Sequence, residues 1–118
     1  MLQILLKAPP SDADRAHRLR LVYSAPALGD DAHLAFENRF GARLVIGYGL
    51  SESTFGFIHP LTGARKLGSM GRPRTHPDPE YRSEVRLVAE GRQAGPGETG
   101  EIWLRNPAMR PWVRALPS

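Results

Sequence analysis

Asp30-Asp31-Ala32-His33-Leu34-Ala35-Phe36-Glu37-Asn38-Arg39-Phe40-Gly41 runs through Ala42 into Arg43-Leu44-Val45-Ile46. Its first part has the period of a helix: Ala32, Ala35, Phe36 and Phe40 stand at i, i+3, i+4 and i+8 and make one apolar face. Asp30 and Asp31 suit the N-terminus, where carboxylates meet free backbone amides and the positive end of the dipole. Gly41 supplies the residue that ends the helix. Arg43 to Ile46 is a short apolar run of strand type, and Leu19-Arg20-Leu21-Val22-Tyr23 upstream is another. Strand, helix and strand over about 30 residues form a βαβ unit, which predicts two parallel strands with a right-handed crossover.

That topology gives meaning to the loop at the end of each strand. Open parallel sheets bind ligands outside the carboxyl ends of their strands. The first strand leads into Ser24-Ala25-Pro26-Ala27 and the second into Gly47-Tyr48-Gly49-Leu50-Ser51-Glu52-Ser53-Thr54, so the two loops are expected to be spatial neighbours. Two glycines around a tyrosine, followed by a hydroxyl and a carboxylate, offer backbone, ring, alcohol and anion to one ligand. This is the chemistry of a nucleotide held with a metal ion.

Towards the N-terminus, Leu2, Leu5 and Leu6 have helical spacing before Pro9-Pro10, and read as the last turns of a longer helix. Ser11 with Asp14 three residues on makes a capping box for a short helix through Arg18. Beyond Thr54 the period changes. Phe55 to Arg65 gives turns and short extended pieces, and Gly68-Ser69-Met70-Gly71-Arg72-Pro73 is a glycine-rich bend. Glu84-Val85-Arg86-Leu87-Val88 and Glu101-Ile102-Trp103-Leu104-Arg105 alternate as half-buried strands joined by a Gly/Pro loop, an antiparallel pair. The expectation is therefore an α/β chain: residues 1–54 a parallel βαβ unit ending in the tyrosine loop, 55–105 antiparallel strands of a small β-barrel-like subdomain, and 106–118 an irregular, poorly ordered tail.

Composition narrows the function classes. The 118 residues contain no cysteine, and twelve glycines and eleven prolines are dispersed as turns. A chain of this size buries roughly two-thirds of its unfolded surface, enough for a core. The net charge of +4 comes from basic residues spread along the chain with no run of five or six, which argues against nucleic-acid binding. No apolar run reaches the roughly 20 residues of a spanning helix, and residues 1–8 lack a basic region and cleavage site of a signal peptide; a cytoplasmic protein is expected. His17, His33, His59 and His76 lack the spacing of a zinc site, and no nucleophile elbow surrounds Ser24, Ser51 or Ser53. Gly95-Pro96-Gly97-Glu98-Thr99-Gly100 satisfies G-x-G-x-x-G but precedes a strand instead of a helix, which makes it a hairpin turn.

Tyr48-Gly49-Leu50-Ser51-Glu52 resembles the Tyr-Gly-x-Thr-Glu signature of the adenylate-forming enzymes, the AMP-binding acyl-CoA synthetase and ligase superfamily. Three further landmarks in the same order extend the resemblance over residues 19–105. Leu19 to Ser24 followed by a helix ending Arg39-Phe40-Gly41 is similar to the family's segment before its tyrosine motif. Gly68 to Pro73 resembles its Gly-Ser-x-Gly-Lys/Arg-Pro turn, and Pro96-Gly97-Glu98-Thr99-Gly100-Glu101-Ile102 its Pro-Gly-Glu-x-Gly-Glu-Ile/Leu turn and strand. The resemblance implies that Tyr48 stacks on adenine, that Gly47 and Gly49 let the backbone approach, and that the Ser51 hydroxyl contacts the α-phosphate. It further implies that Glu52 binds Mg²⁺, a hard cation that prefers oxygen, and that Ser24, Ala25 and Pro26 form the adenine-side loop. Ser51 and Glu52 are the catalytic candidates. The loop lacks the family's double glycine and is one residue short, a feature of the carnitine-CoA ligase-like branch.

The implied reaction is adenylation of a small carboxylic acid by ATP and Mg²⁺, then acyl transfer to coenzyme A. The family's phosphate-gripping loop, ribose-binding aspartate and catalytic lysine have no counterpart here, so the isolated chain is expected to be inactive, with the missing parts of a ligase or a full-length ligase as partner. Similarity fails after about Ala108, which suggests a truncated or frameshifted reading frame. The alternative function is a small non-enzymatic module that binds RNA or a partner protein.

Overall fold

The computed structural model describes residues 1–25, 27–50, 53–105 and 113–114. It divides into two compact units, Met1–Tyr48 with Ile58–Gly71, and Gly49–Phe57 with Arg72–Ser118.

The first unit is the βαβ arrangement. Helix α1 (Leu2–Lys7) is followed by a single 3-10 turn, Asp12–Arg15, in place of the expected helix to Arg18. The turn keeps the capping box: the Ser11 hydroxyl accepts from the Ala13 amide at 3.2 Å, and the Asp14 carboxylate accepts from the Ser11 amide at 3.1 Å. Strand β1 spans Leu21–Ser24, two residues later than the sequence suggested, because its ladder with β2 (Arg43–Leu50) begins at Leu21 opposite Arg43. The pair is parallel, in the register Val22–Leu44, Tyr23–Val45 and Ser24–Ile46. Between them α2 (Asp30–Phe40) carries Asp30 and Asp31 in its first turn and ends at Gly41 with φ 66°.

Phe36 from α2, Leu2 from α1, Leu28, and Leu44 and Ile46 from β2 form the core, with Val22, Ala32 and Phe40 packed against it. The face of α2 turned inward is the one the apolar spacing drew at Ala32, Phe36 and Phe40, but it extends to His33 in place of Ala35. Ala35 is exposed and His33 is buried. The reason is electrostatic as well as steric: Glu37, one turn on, is paired with Arg65, and this polar pair draws the helix face carrying His33 against residues 58–71.

Arg39 ties the unit's N-terminal pieces to α2. Its guanidinium donates to the carbonyls of Leu6 (3.2 Å), Ala8 (2.8 Å) and Pro9 (3.1 Å) and to the Asp14 carboxylate at 2.7 Å. Arg15 in turn donates to the carbonyls of Asn38 and Arg39, placing a cation at the negative end of α2.

In the second unit β3 (Ser53–Ile58, its last residue assigned to the first unit) lies beside the two-residue β4 (Arg72–Pro73), and the Arg74 amide donates to the Gly56 carbonyl at 2.8 Å. A separate antiparallel sheet has the order β6-β5-β7-β8, formed by β5 (Glu84–Ala89), β6 (Arg92–Gln93), β7 (Glu101–Arg105) and β8 (Val113–Arg114). β5 and β7 pair from Glu84–Arg105 to Val88–Glu101, as the alternation predicted. This sheet is open and does not close into a barrel. The Gly95–Gly100 stretch is the expected turn, closed by the Glu98 amide on the Gly95 carbonyl at 3.2 Å. Apart from β8, the tail beyond Arg105 lies outside the described residues.

Candidate functional site

The parallel register decides which sequence candidates come together. Side chains alternate faces along a strand, so Ser24, Ile46 and Tyr48 project from one face and Tyr23, Val45 and Gly47 from the other. Ser24 and Tyr48 thus share a face at the carboxyl end of the parallel pair, where the topology predicts a ligand. Both are half-buried, while Ala25, the next residue, is exposed.

Gly47, Tyr48 and Gly49 are part of β2, which continues to Leu50; the tyrosine motif therefore begins in strand, and the loop expected from Gly47 onward starts later. A Cβ at Gly47 would lie 2.1 Å from the Tyr23 hydroxyl oxygen and 2.5 Å from its ring, so a side chain there would displace the exposed Tyr23 ring. The absence of a side chain at 47 lets the Tyr23 ring lie flat across the strand end.

A groove of about 410 Å³ opens beside this ring, lined by Tyr23, Ser24, Ala25 and Leu28 together with Leu2 and Gln3. Its size falls within the range of small-molecule sites, and its lining is mainly apolar with a few polar groups. Pro26, Ser51 and Glu52, the remaining candidates for the adenine-side loop, the α-phosphate contact and Mg²⁺, lie outside the described residues. Among the described residues no group of three histidine, aspartate or glutamate side chains is placed to hold a metal ion.

The family model of AMP-binding enzymes matches residues 1–111. The chain belongs to the AMP-binding enzyme family. The crotonobetaine/carnitine–CoA ligase of Shigella sonnei is 36% identical over 106 residues, which cover 89% of this chain and 20% of that protein. Among solved structures, MatB from Rhodopseudomonas palustris aligns with a TM-score of 0.68 at 25% identity, over 92% of this chain and 21% of that one. A benzoate CoA ligase from Burkholderia xenovorans aligns with a TM-score of 0.67 at 28% identity, again over 92% and 21%. The chain thus spans about a fifth of the length of the ligases it matches.

Sequence reasoning missed a polar cluster in the same unit. His33 and His59 are 2% and 1% exposed, with ring centroids 6.0 Å apart. Glu37 lies beside them, its carboxylate accepting from the Leu44 amide at 2.6 Å and from Arg65. Burial alone would raise the Glu37 carboxyl, but the Arg65 guanidinium and the Leu44 amide overcome it and hold it below the ordinary value. The His33 imidazole is pushed down by burial first and by the Arg65 charge second. The only signal for this cluster in an AMP-binding sequence such as this one is that His33 and Glu37 stand at i, i+4.

Proposed function

We propose that this chain is the nucleotide-side portion of an acid–thiol ligase, which activates a small carboxylic acid with ATP and passes the acyl group to coenzyme A. The carrying observation is the convergence of Tyr48 and Ser24 on one face at the carboxyl end of the β1–β2 pair, in a chain of the AMP-binding family. The CoA-ligase names of its relatives support the acid–thiol class.

In this reading the Tyr48 ring stacks on adenine, with Ser24, Ala25 and Pro26 on the other side of the base and Gly47 and Gly49 leaving the backbone open to it. The Ser51 hydroxyl donates to the α-phosphate. The Glu52 carboxylate holds Mg²⁺, which offsets phosphate charge during attack by the carboxylate oxygen on the α-phosphorus. That attack forms the acyl–adenylate and expels pyrophosphate; the coenzyme A thiol then attacks the acyl carbon and expels AMP. The side chains of this portion contribute positioning and electrostatics. The chain works in the cytoplasm with the remainder of a ligase as its partner, and alone it binds nucleotide without turning it over. Among the described residues no helix is long and apolar enough to cross a membrane.

The test is titration of the ¹⁵N-labelled chain with AMP and Mg²⁺ by amide-correlation NMR. Shifts confined to residues 23–25 and 47–53, lost in Tyr48→Ala, are the expected result. Dispersed amides indifferent to AMP would overturn the binding role, and pyrophosphate release above a Tyr48→Ala, Glu52→Ala control would overturn the predicted inactivity.

A further inference from the structure

The segment Ile58–Gly71 is held in the first unit by contacts of two kinds. The first kind is indifferent to pH near neutrality: the His59 amide donates to the Ile46 carbonyl at 2.9 Å, and Arg43 donates to the carbonyls of Pro60 (3.1 Å) and Gly63 (2.9 Å). At the end of the segment Gly71, with φ 88°, sits so close to Ile58 that a Cβ would lie 2.1 Å from the Ile58 carbonyl oxygen. The second kind involves two buried histidines, His33 and His59.

His59 Nε2 is 2.5 Å from the Ser69 carbonyl oxygen. A carbonyl can only accept, so Nε2 carries the hydrogen, and in the neutral ring Nδ1 is a bare lone pair. Nδ1 is buried and has no hydrogen-bond partner among the described residues. On α2, His33 Nε2 is likewise buried and unpartnered; the nearest carboxylate oxygen, Glu37 Oε1, is 3.6 Å away, beyond hydrogen-bond reach, and is already engaged by the Leu44 amide.

We propose that His33, packed beside the buried His59 ring, is a proton-sensitive latch, which pins residues 58–71 against α2 while the His33 ring is neutral and releases the segment when His33 takes up a proton. Protonation of His33 adds a charge that Arg65 and the His59 ring, 6.0 Å away, oppose, and makes Nε2 an N–H donor whose nearest carboxylate oxygen, Glu37 Oε1, lies 3.6 Å off. The charged and titratable groups facing the pair are Glu37 from α2 and Arg65 from the segment. Arg43 lies at the start of β2, and Asp30, at the start of α2, sits against Gly68. Glu37 favours the added proton, but its charge is shared with Arg65. Burial, Arg65 and His59 oppose protonation of His33, and only Glu37 and a hydrogen bond to the Leu44 backbone favour it. With the His33 value depressed below the ordinary 6.5, the stabilisation is complete above that pH and is lost as pH falls from 6.5 through the folded-state value.

Hydrogen exchange of the full chain at pH 7.5 and 5.5, corrected for intrinsic rates, tests this without any nucleotide and so independently of the ligase reading. Protection of the amides of residues 61–70 is expected to fall measurably at the lower pH, while that of β5 and β7 is unchanged. In His33→Gln the difference between the two pH values should largely vanish. Equal protection of 61–70 at both pH values in the wild-type chain overturns the proposal. Should His33→Gln not fold, the wild-type imidazole proton signals decide: a His33 midpoint below 6.5 supports the latch, and one at or above it with the segment still protected refutes it.

Discussion

The two units bury different things. Leu2, Leu28, Phe36, Ala42, Leu44, Val45 and Ile46 are buried in the first, together with His33 and His59; in the second the buried apolar side chains among the described residues are Phe57 and Leu104. A parallel pair with a crossover helix necessarily encloses a layer of side chains between helix and sheet. The antiparallel sheet of the second unit draws more of its order from its ladder and from cross-strand pairs at its surface, such as Arg105 with Glu84 at 2.6 Å. The lesson is that in one small chain the same family fold is held by packing in one place and by backbone pairing in the other.

The contrast can be tested by substitution. Leu44 is 0% exposed at the centre of the first core, and Leu44→Ala should cost about 2–5 kcal/mol in urea unfolding. Leu104→Ala, at 1% exposure, loses the same methyl groups but among fewer buried neighbours, so about 2 kcal/mol, the low end of that range, is expected. Equal losses would break the distinction. Glu37→Gln removes the carboxylate that pairs with the mostly buried Arg65 and should cost about 1–3 kcal/mol. Because the Glu37 value is held below 4.5, its contribution is present above pH 4.5 and is lost as pH falls through the folded-state value; an acid-unfolding midpoint that does not move in Glu37→Gln would contradict this. Smallest of all is Arg92→Ala. Arg92 and Glu98 pair at 2.5 Å but are 57% and 36% exposed, and no resolvable change in thermal midpoint is expected in ordinary salt.

The legibility of the fold in the sequence tracks the range of the forces involved. The ends of α2 were legible because Asp30, Asp31 and Gly41 act within one turn, and β5 and β7 because alternation is a property of neighbours. The burial of His33 was not, since it depends on Arg65, 32 positions away, and on residues 58–71 closing over it. The strand conformation of Gly47, Tyr48 and Gly49 was hidden by the glycines, which locally signal a turn. Tyr23 went unnoticed for the complementary reason: its importance lies in a side chain that Gly47 lacks.

Arg39 carries one more consequence. In a chain without cysteine it joins residues 6–9 and 14 to residue 39 through a fan of hydrogen bonds, a cross-link some 25 to 33 positions long. Like a covalent bridge, it restricts the freedom of the loop it closes, but it forms only once α2 has brought the fork into place. A lysine, with a single ammonium on a flexible stem, could not span the same carbonyls and carboxylate at once. The N-terminal segment is therefore riveted by geometry rather than by charge alone, and its order rises and falls with that of the helix that holds it.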